Sequence, residues 1–365
     1  MIVESGGRWG LGYGSRIGNG EKKTAGKARL PWQNQKVNDG ISILYPNYDL
    51  KTGQLAKNIA WWVDSARFAP DRFQLVIGTK KLNKREFKEV HSLLRRQDII
   101  FEVDKMDNDN AIWNQCAERS MFENMLFVEG HVYPNETFLQ KLYETTRVSS
   151  GERVINTNTR NTTNSDFEGL MDRWFNETIQ RRQSSHDFIF LSRWAFLIPK
   201  KVFQRYGPLI QDYEQFGPPF LSAVLFKNKV GISNADFTGL THEMESVIGH
   251  HHAATRCYVR GFAKAKKRIH AEGLSELFGS NPDFEKLQSR WRKKRAGANN
   301  SDIKPGAWEV FRDIILPKME IKLLEFLVMY FPMPQEIKYR LFQCAHRRVA
   351  MDEYRNHLFN RSHEK

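Results

Sequence analysis

The sequence predicts an α/β protein: a Rossmann-like, mainly parallel sheet flanked by helices, with a helical C-terminal extension. Two patterns carry this expectation. Four apolar runs of strand length, ISILY, FQLVI, IIFEV and MLFV, alternate with helical patterns between Ile41 and Thr146. Such alternation reads as βαβ units around a buried sheet. Beyond Arg256 the chain turns to basic stretches with helical periodicity and shows no internal repeat.

Residues 1–38 are rich in Gly, Lys, Asn and Gln with little apolar periodicity, and read as a flexible basic arm. The run 41–45 is closed by Pro46 and Asn47 and followed by a helical pattern through Leu55, Ile59, Trp62 and Val63. The run 73–77 ends at Gly78 and leads to a helix over 84–96. The run 99–103 enters MDNDN, which reads as a turn, and 111–120 is helical again. The run 125–128 precedes Glu129-Gly130-His131, and Pro134 opens a helix to about Thr146. Ligands of such sheets gather at the carboxyl ends of the strands, so the loops at 46–48, 78–80, 104–110 and 129–131 define one rim.

Further on, 154–156 reads as a short strand followed by the polar loop NTNTRNTTNS, which would face a second substrate. Segments 188–191 and 194–198 read as edge or hairpin strands, 218–226 as a buried helix and 230–233 as a final strand. A basic helix follows over 258–270, then the run RWRKKR at 290–295. Ile321, Leu324, Val328 and Phe331 fall on one stripe, suited to core packing, dimerisation or membrane contact. The expected division is an arm over 1–38, a main domain over 39–255 and a basic helical extension over 256–365.

The formal charge is +14, and its placement is informative. Residues 1–38 carry +5 and 256–295 carry +8, whereas 39–255 carry −1. A fold built to grip nucleic acid concentrates that charge on itself, so nucleic acid is not the expected partner. The basic helices suit an anionic membrane surface, making 256–295 the expected peripheral contact. Cys116, Cys257 and Cys344 lack the pairing of a zinc site or a disulfide framework and read as free thiols in a reducing compartment. The first 20 residues hold no apolar stretch of signal-peptide length, and the longest apolar run, near Leu323, contains Glu325. The expected location is cytoplasmic, at most peripheral at the inner face of the membrane.

The order of motifs over about 39–270 resembles the family 2 glycosyltransferases, which share the GT-A fold. The family's first strand, ending Pro-Thr-Tyr-Asn, resembles ISILYPNYD at Pro46 and Tyr48. Its helix carrying an Asn between alanines resembles AIWNQCAE with Asn114. Its Asp-x-Asp signature falls at LFVEGHVYP, where Glu129-Gly130-His131 is similar to a variant in some bacterial relatives. Its last strand and His resemble KVGISNADFTGLTH, ending at His242. Two features depart. The base-contacting Asp after the second strand is absent from VIGTKK, leaving Thr79 or backbone for that work, and the Glu-Asp pair bearing the catalytic base is replaced by FGPP.

The resemblance implies transfer of a sugar from a nucleotide-diphosphate sugar to a hydroxyl, inverting at the anomeric carbon. It implies nucleotide-sugar contacts at Pro46, Asn47, Tyr48, Thr79, Asn114, Glu129 and His131. The leaving diphosphate needs its charge neutralised, normally by a divalent cation. Glu129 and His131, two apart at a strand end, leave the same face, and with His242 they form the expected ligand set. Imidazole shifts the preference from Mg²⁺ towards Mn²⁺, and metal-independent action stays open. The base would be Asp212 or Glu214, the nearest carboxylates to FGPP. The acceptor would be a glycan, a lipid-linked intermediate or a small molecule. Two alternatives fit the departures: a catalytically inactive GT-A-fold scaffold, and an adaptor for polyanions or membranes acting through its basic flanks.

Overall fold

The computed structural model describes residues 38–47, 54–103, 108–148, 152–183, 188–243, 248–278, 282–296 and 315–360. The arm expected over 1–38 lies almost wholly outside them, as do Tyr48 and the 104–107 part of the MDNDN loop.

The four apolar runs become β1 (Asn38–Asn47), β2 (Phe73–Thr79), β3 (Ile99–Glu102) and β4 (Phe122–Val128). The intervening helices are α1 (Gln54–Ser65), α2 (Lys84–Leu93) and α3 (Asp109–Arg119). These strands pair in parallel in the order β3-β2-β1-β4, so their carboxyl ends share one edge. The chain then adds β5 (Val132–Pro134), α4 (Phe138–Val148), β6 (Val154–Asn161), α5 (Asp166–Gln183) and β7 (Ala195–Pro199). After α6 (Lys200–Tyr206), a 3-10 turn over Gln211–Phe216 and α7 (Gly217–Lys227), β8 (Ile232–His242) completes an eight-stranded sheet ordered β3-β2-β1-β4-β7-β6-β8-β5. β7 runs antiparallel to both β4 and β6, and β5 antiparallel to β8, so the sheet is mixed.

Alternation along the strands explains why both faces are covered. Ile41, Ile43 and Tyr45 of β1 pack with Leu75, Ile77, Leu126 and Leu197 on the α1 and α4 side. Leu44, Val76, Phe127 and Phe196 point to the other side, against Ile112 and Trp113 of α3 and Leu221 of α7.

Three expectations need correction. The polar stretch after Asn156 is not a loop but the body of β6, paired in parallel with β8 as far as Asn161 with His242. Several of its polar groups bond within the sheet: Thr157 Oγ1 donates to Ala195 O at 2.7 Å, and Asn156 Nδ2 to Asn234 Oδ1 at 3.0 Å. Residues 188–191 form no strand; Phe188 and Leu191 instead anchor two separate apolar clusters. The final strand runs on to His242, and its later residues, Phe237, Thr238, Leu240 and Thr241, are of the β-branched, aromatic and aliphatic types that suit a pleated, half-buried surface.

The helices after the sheet are α8 (Ile248–Ala271), α9 (Ser275–Phe278), α10 (Pro282–Ala296), α11 (Leu316–Tyr330) and α12 (Gln335–Asn360). The shift in composition at Arg256 falls inside α8, so no element ends there. Much of the positive charge read there as a surface is spent internally. Arg256 pairs with Asp352 at 3.0 Å, Arg260 with Glu214 and Glu353, and Arg268 with Glu272. No helix among the described residues is long and apolar enough to cross a membrane.

All three cysteines are free thiols in very different settings. Cys116 is fully buried and burial pushes its thiol up to about 12, whereas Cys344 is exposed. A thiol-reactive chromophore at neutral pH is expected to label Cys344 within minutes and Cys116 only in denaturant. Equal labelling of both in the folded protein would contradict this packing.

Candidate active site

The Glu129-Gly130-His131 turn leaves the end of β4 and is held by side chains from three elements. Trp113 Nε1 donates to Val128 O at 2.9 Å, Asn58 Nδ2 and Tyr45 Oη donate to Gly130 O at 3.0 and 2.5 Å, and Trp62 Nε1 donates to Val132 O at 3.3 Å. Read as a packing feature from sequence, Trp62 is thus both core and anchor. Four donors on one short turn fix where Glu129 sits.

Glu129 is buried, and its carboxylate lies between two cationic or potentially cationic groups. Arg193 grips Oε1 through Nη2, and His242 Nε2 stands 3.4 Å from Oε2. Burial alone would raise this carboxyl. Arg193, then His242 and His131, outweigh it and hold the group well below the usual carboxylate range. His242 is itself fixed: its ring stacks on Trp194, with centroids 5.0 Å apart, and Nδ1 is 3.2 Å from Asn161 Oδ1.

This geometry bears directly on the expected cation site. The expected ligands, Glu129, His131 and His242, do not form a ligand group, and among the described residues no cluster of three His, Cys, Asp or Glu is arranged to hold a metal ion. The reason is physical. Arg193 already takes Oε1 of Glu129, and the His242 ring, 3.4 Å from Oε2, is held in place by Trp194 and Asn161. The residues present do not fit the group as a three-ligand site.

Arg193 also lines a cleft of about 440 Å³, together with Asn108, Asp109, Asn110, Asp212, Glu214, Arg260 and Lys264. Asparagines of α3 and its N-cap build one wall. Asn108 Nδ2 donates to Gln211 O at 2.9 Å, and Asn110 Nδ2 to Ile210 O and Glu214 O at 3.1 and 2.6 Å. Asn114 spends its amide on the backbone of Leu209, donating at 2.7 Å and accepting at 3.0 Å. The resemblance gave Asn114 to the nucleotide; here it positions the segment bearing Asp212 and Glu214. The other wall is α8, which approaches so closely at Gly261 that a Cβ there would lie 1.9 Å from Tyr213 O.

The two candidate bases differ sharply. Glu214 takes φ 45°, ψ −129°, and its carboxylate is held bidentately by Arg260 at 3.1 and 2.9 Å, with Lys264 at 3.6 Å. A non-glycine residue in that region costs on the order of 1–3 kcal/mol and persists only where surroundings enforce it. Asp212 is exposed on the cleft wall.

At the far end of the rim, Pro46 lies opposite Gly78 and Asn47 opposite Thr79 in the β1–β2 ladder. Asn47 Nδ2 donates to Thr79 Oγ1 at 2.8 Å, while among the described residues nothing donates to the buried Oδ1 of Asn47. A buried acceptor left open in this way is costly unless a ligand meets it. Sequence reading missed Arg193 altogether. Its one signal was a lone cation inside the apolar run FIFLSRWAFLIP.

No family model matches the chain, and no curated protein does. Among solved structures the chain is similar to S. aureus TarS 1–349 in complex with UDP, at 12% identity and a TM-score of 0.45, covering 89% of this chain and 92% of that one. It is similar as well to glucosyl-3-phosphoglycerate synthase from Mycobacterium tuberculosis in complex with Mg²⁺ and UDP, at 10% identity and a TM-score of 0.44, covering 62% of this chain and 79% of that one. A mycobacterial protein gives 12% identity and a TM-score of 0.45 over 62% of this chain and 74% of its own. These likenesses are distant.

Behind the site, His251 is buried against Trp174 and Phe175, with Nε2 3.1 Å from His346 Nδ1. Its pKa lies well below the usual 6.5, through burial first and then His346, His252 and Arg193. The unfolded chain therefore binds a proton that the folded chain refuses, so this contribution to stability is intact above about pH 6.5 and falls away below it. Calorimetry is expected to show Tm dropping between about pH 7 and 5.5, and His251→Phe flattening that drop. An unchanged slope would contradict the assignment. Removing one partner of the buried pair should be severe: Arg193→Ala is expected to cost about 3–5 kcal/mol in urea denaturation. Adding Glu129→Gln should recover much of that loss.

Proposed function

We propose that this chain is a glycosyltransferase of the GT-A type, moving a sugar from a nucleoside-diphosphate sugar to an acceptor hydroxyl. One observation carries the reading: a cation fixed at the carboxyl end of β4, Arg193 on Glu129, faces the same cleft as the carboxylate of Asp212. Transfer needs those two things in one space, positive charge for the departing diphosphate and a base for the incoming hydroxyl. The motif order along the strands supports the same reading.

In the proposed reaction the acceptor oxygen attacks the anomeric carbon and gives its proton to Asp212. The bond from that carbon to the diphosphate oxygen breaks as the new one forms, which inverts the centre. Negative charge gathers on the leaving phosphate. A guanidinium has five N–H donors, more than one carboxylate oxygen takes up, so Arg193 can hold Glu129 and meet the phosphate together. Glu214, clamped by Arg260, positions the wall and is not the base. Asn47 Oδ1, beside Thr79, accepts an N–H from the nucleotide base. His131 and Pro46 border the same rim. A peripheral contact of 256–295 with an anionic surface, and a cytoplasmic location, belong to this proposal as the setting in which a lipid-linked acceptor would be met.

Calorimetric titration with UDP, GDP, CDP and dTDP is expected to find one nucleotide whose binding survives excess chelator. That binding should weaken roughly tenfold or more in Arg193→Lys and in Asn47→Leu, since each removes a directed hydrogen bond. Binding that appears only with added Mn²⁺ or Mg²⁺ would contradict the role given to Arg193. Asp212→Asn is expected to keep nucleotide affinity while losing on the order of 10²-fold or more in transfer or donor hydrolysis. Full activity in that variant would remove Asp212 as the base. Nucleotide binding without turnover in the wild type would favour the inactive scaffold instead.

A further inference from the structure

Helix α11 is apolar on two opposite faces, and among the described residues only one of them packs against the rest of the chain. Pro317, Ile321 and Val328 are buried, and Val328 joins Phe167, Leu170, Tyr339 and Phe342 in a cluster. Sequence reading put Ile321, Leu324, Val328 and Phe331 on one stripe; Ile321 and Val328 serve core packing, while Phe331 is exposed.

The opposite face bears Leu316, Met319, Leu323, Phe326 and Tyr330, all exposed, up to 73% for Tyr330. Their spacing is three, four, three and four residues. That is the a/d repeat of a helix pair, a narrower seam than the broad arc of a core-facing helix.

We infer that two copies of this chain associate through this seam of α11. Three observations select a second copy over other occupants. The spacing sustains knobs-into-holes packing along the whole helix, a register that an unstructured apolar surface does not require. The exposed side chains of the seam amount to roughly 550 Å², against the ~800 Å² one partner contributes to a standard interface. Charge beside the seam is mixed and paired within the chain: Lys322 with Glu325 at 2.6 Å, and Glu320 with Arg348 of α12 at 3.2 Å. An anionic lipid surface selects a helix whose basic flanks are unopposed by acids, which these are not. A self-complementary patch closes as a two-fold dimer, which limits assembly to two copies. The inference is independent of the transferase reading, because none of these residues touches the cleft.

Sedimentation velocity on the full chain, from about 1 to 100 µM, tests it without any variant. The expected result is a species of twice the 42.7 kDa chain mass that Leu323→Glu with Phe326→Glu converts to monomer, with unchanged far-UV circular dichroism. If that variant misfolds, Met319→Ser with Tyr330→Ser repeats the test at the ends of the seam. A wild type monomeric throughout the range overturns the proposal, as does dimerisation unaffected by a folded seam variant. A monomeric wild type that cosediments with phosphatidylserine vesicles through these same residues overturns it too and assigns the face to a lipid surface.

Discussion

A buried carboxylate must be neutralised where it lies, and at Glu129 that requirement organises the molecule. Arg193 supplies the neutralisation at Oε1 and His242 stands 3.4 Å from Oε2, and each arrives from a different part of the chain. Arg193 sits just before β7, whose antiparallel pairing with β4 brings it alongside; Glu129 N donates to Trp194 O at 2.8 Å. His242 ends β8, next to β6 in the sheet, and is steadied by Trp194 and Asn161. Leaving either carboxylate or guanidinium alone in that setting would cost several kcal/mol, so the strand order and the charge pair enforce each other.

The same constraint extends outward through packed rings. Trp194 meets Phe175 edge-on at 5.0 Å, and Phe175 and Trp174 lie against His251, so α5 and α8 are set by what stands behind Arg193. α8 in turn carries Gly261 and Arg260, which fix the strained turn at Glu214. The helices beyond the sheet are therefore part of the cleft. A chain ending near residue 255 would lack Arg260 and Lys264, and with them the grip on Glu214.

Much of the fold was legible in the sequence, for a physical reason. Strands buried on both faces are apolar almost throughout, as ISILY, FQLVI and MLFV are; their two polar residues, Ser42 and Gln74, hydrogen-bond to each other at 2.9 Å, and each run became a central strand. Only the start of β6, at 154–156, was legible, because from Asn156 on the strand is built largely of Asn and Thr, paired through side-chain hydrogen bonds to neighbouring strands that no periodicity reports. Within the site, the position of Glu129 was readable from its place after a strand. Arg193 was not, since its partner lies 64 residues away and only the antiparallel pairing of β7 brings them together. MDNDN reads as a turn in the sequence, whereas Asn108 caps α3 and Asp109 and Asn110 open it, and nothing local shows that Asn110 and Asn114 bond to a segment about 100 residues downstream. The difference in exposure and pairing between Asp212 and Glu214 likewise comes from a residue, Arg260, in a helix that looked like an appendage.

The most direct measurement is a crystal structure of the protein with the nucleoside diphosphate that binds it best, grown in the presence of a chelator. The account predicts the terminal phosphate within hydrogen-bond distance of the Arg193 guanidinium, Glu129 still on the same side chain, and Asn47 Oδ1 accepting from the base. A diphosphate bound away from Arg193, or an Arg193 drawn off Glu129 with a cation in its place, would contradict it.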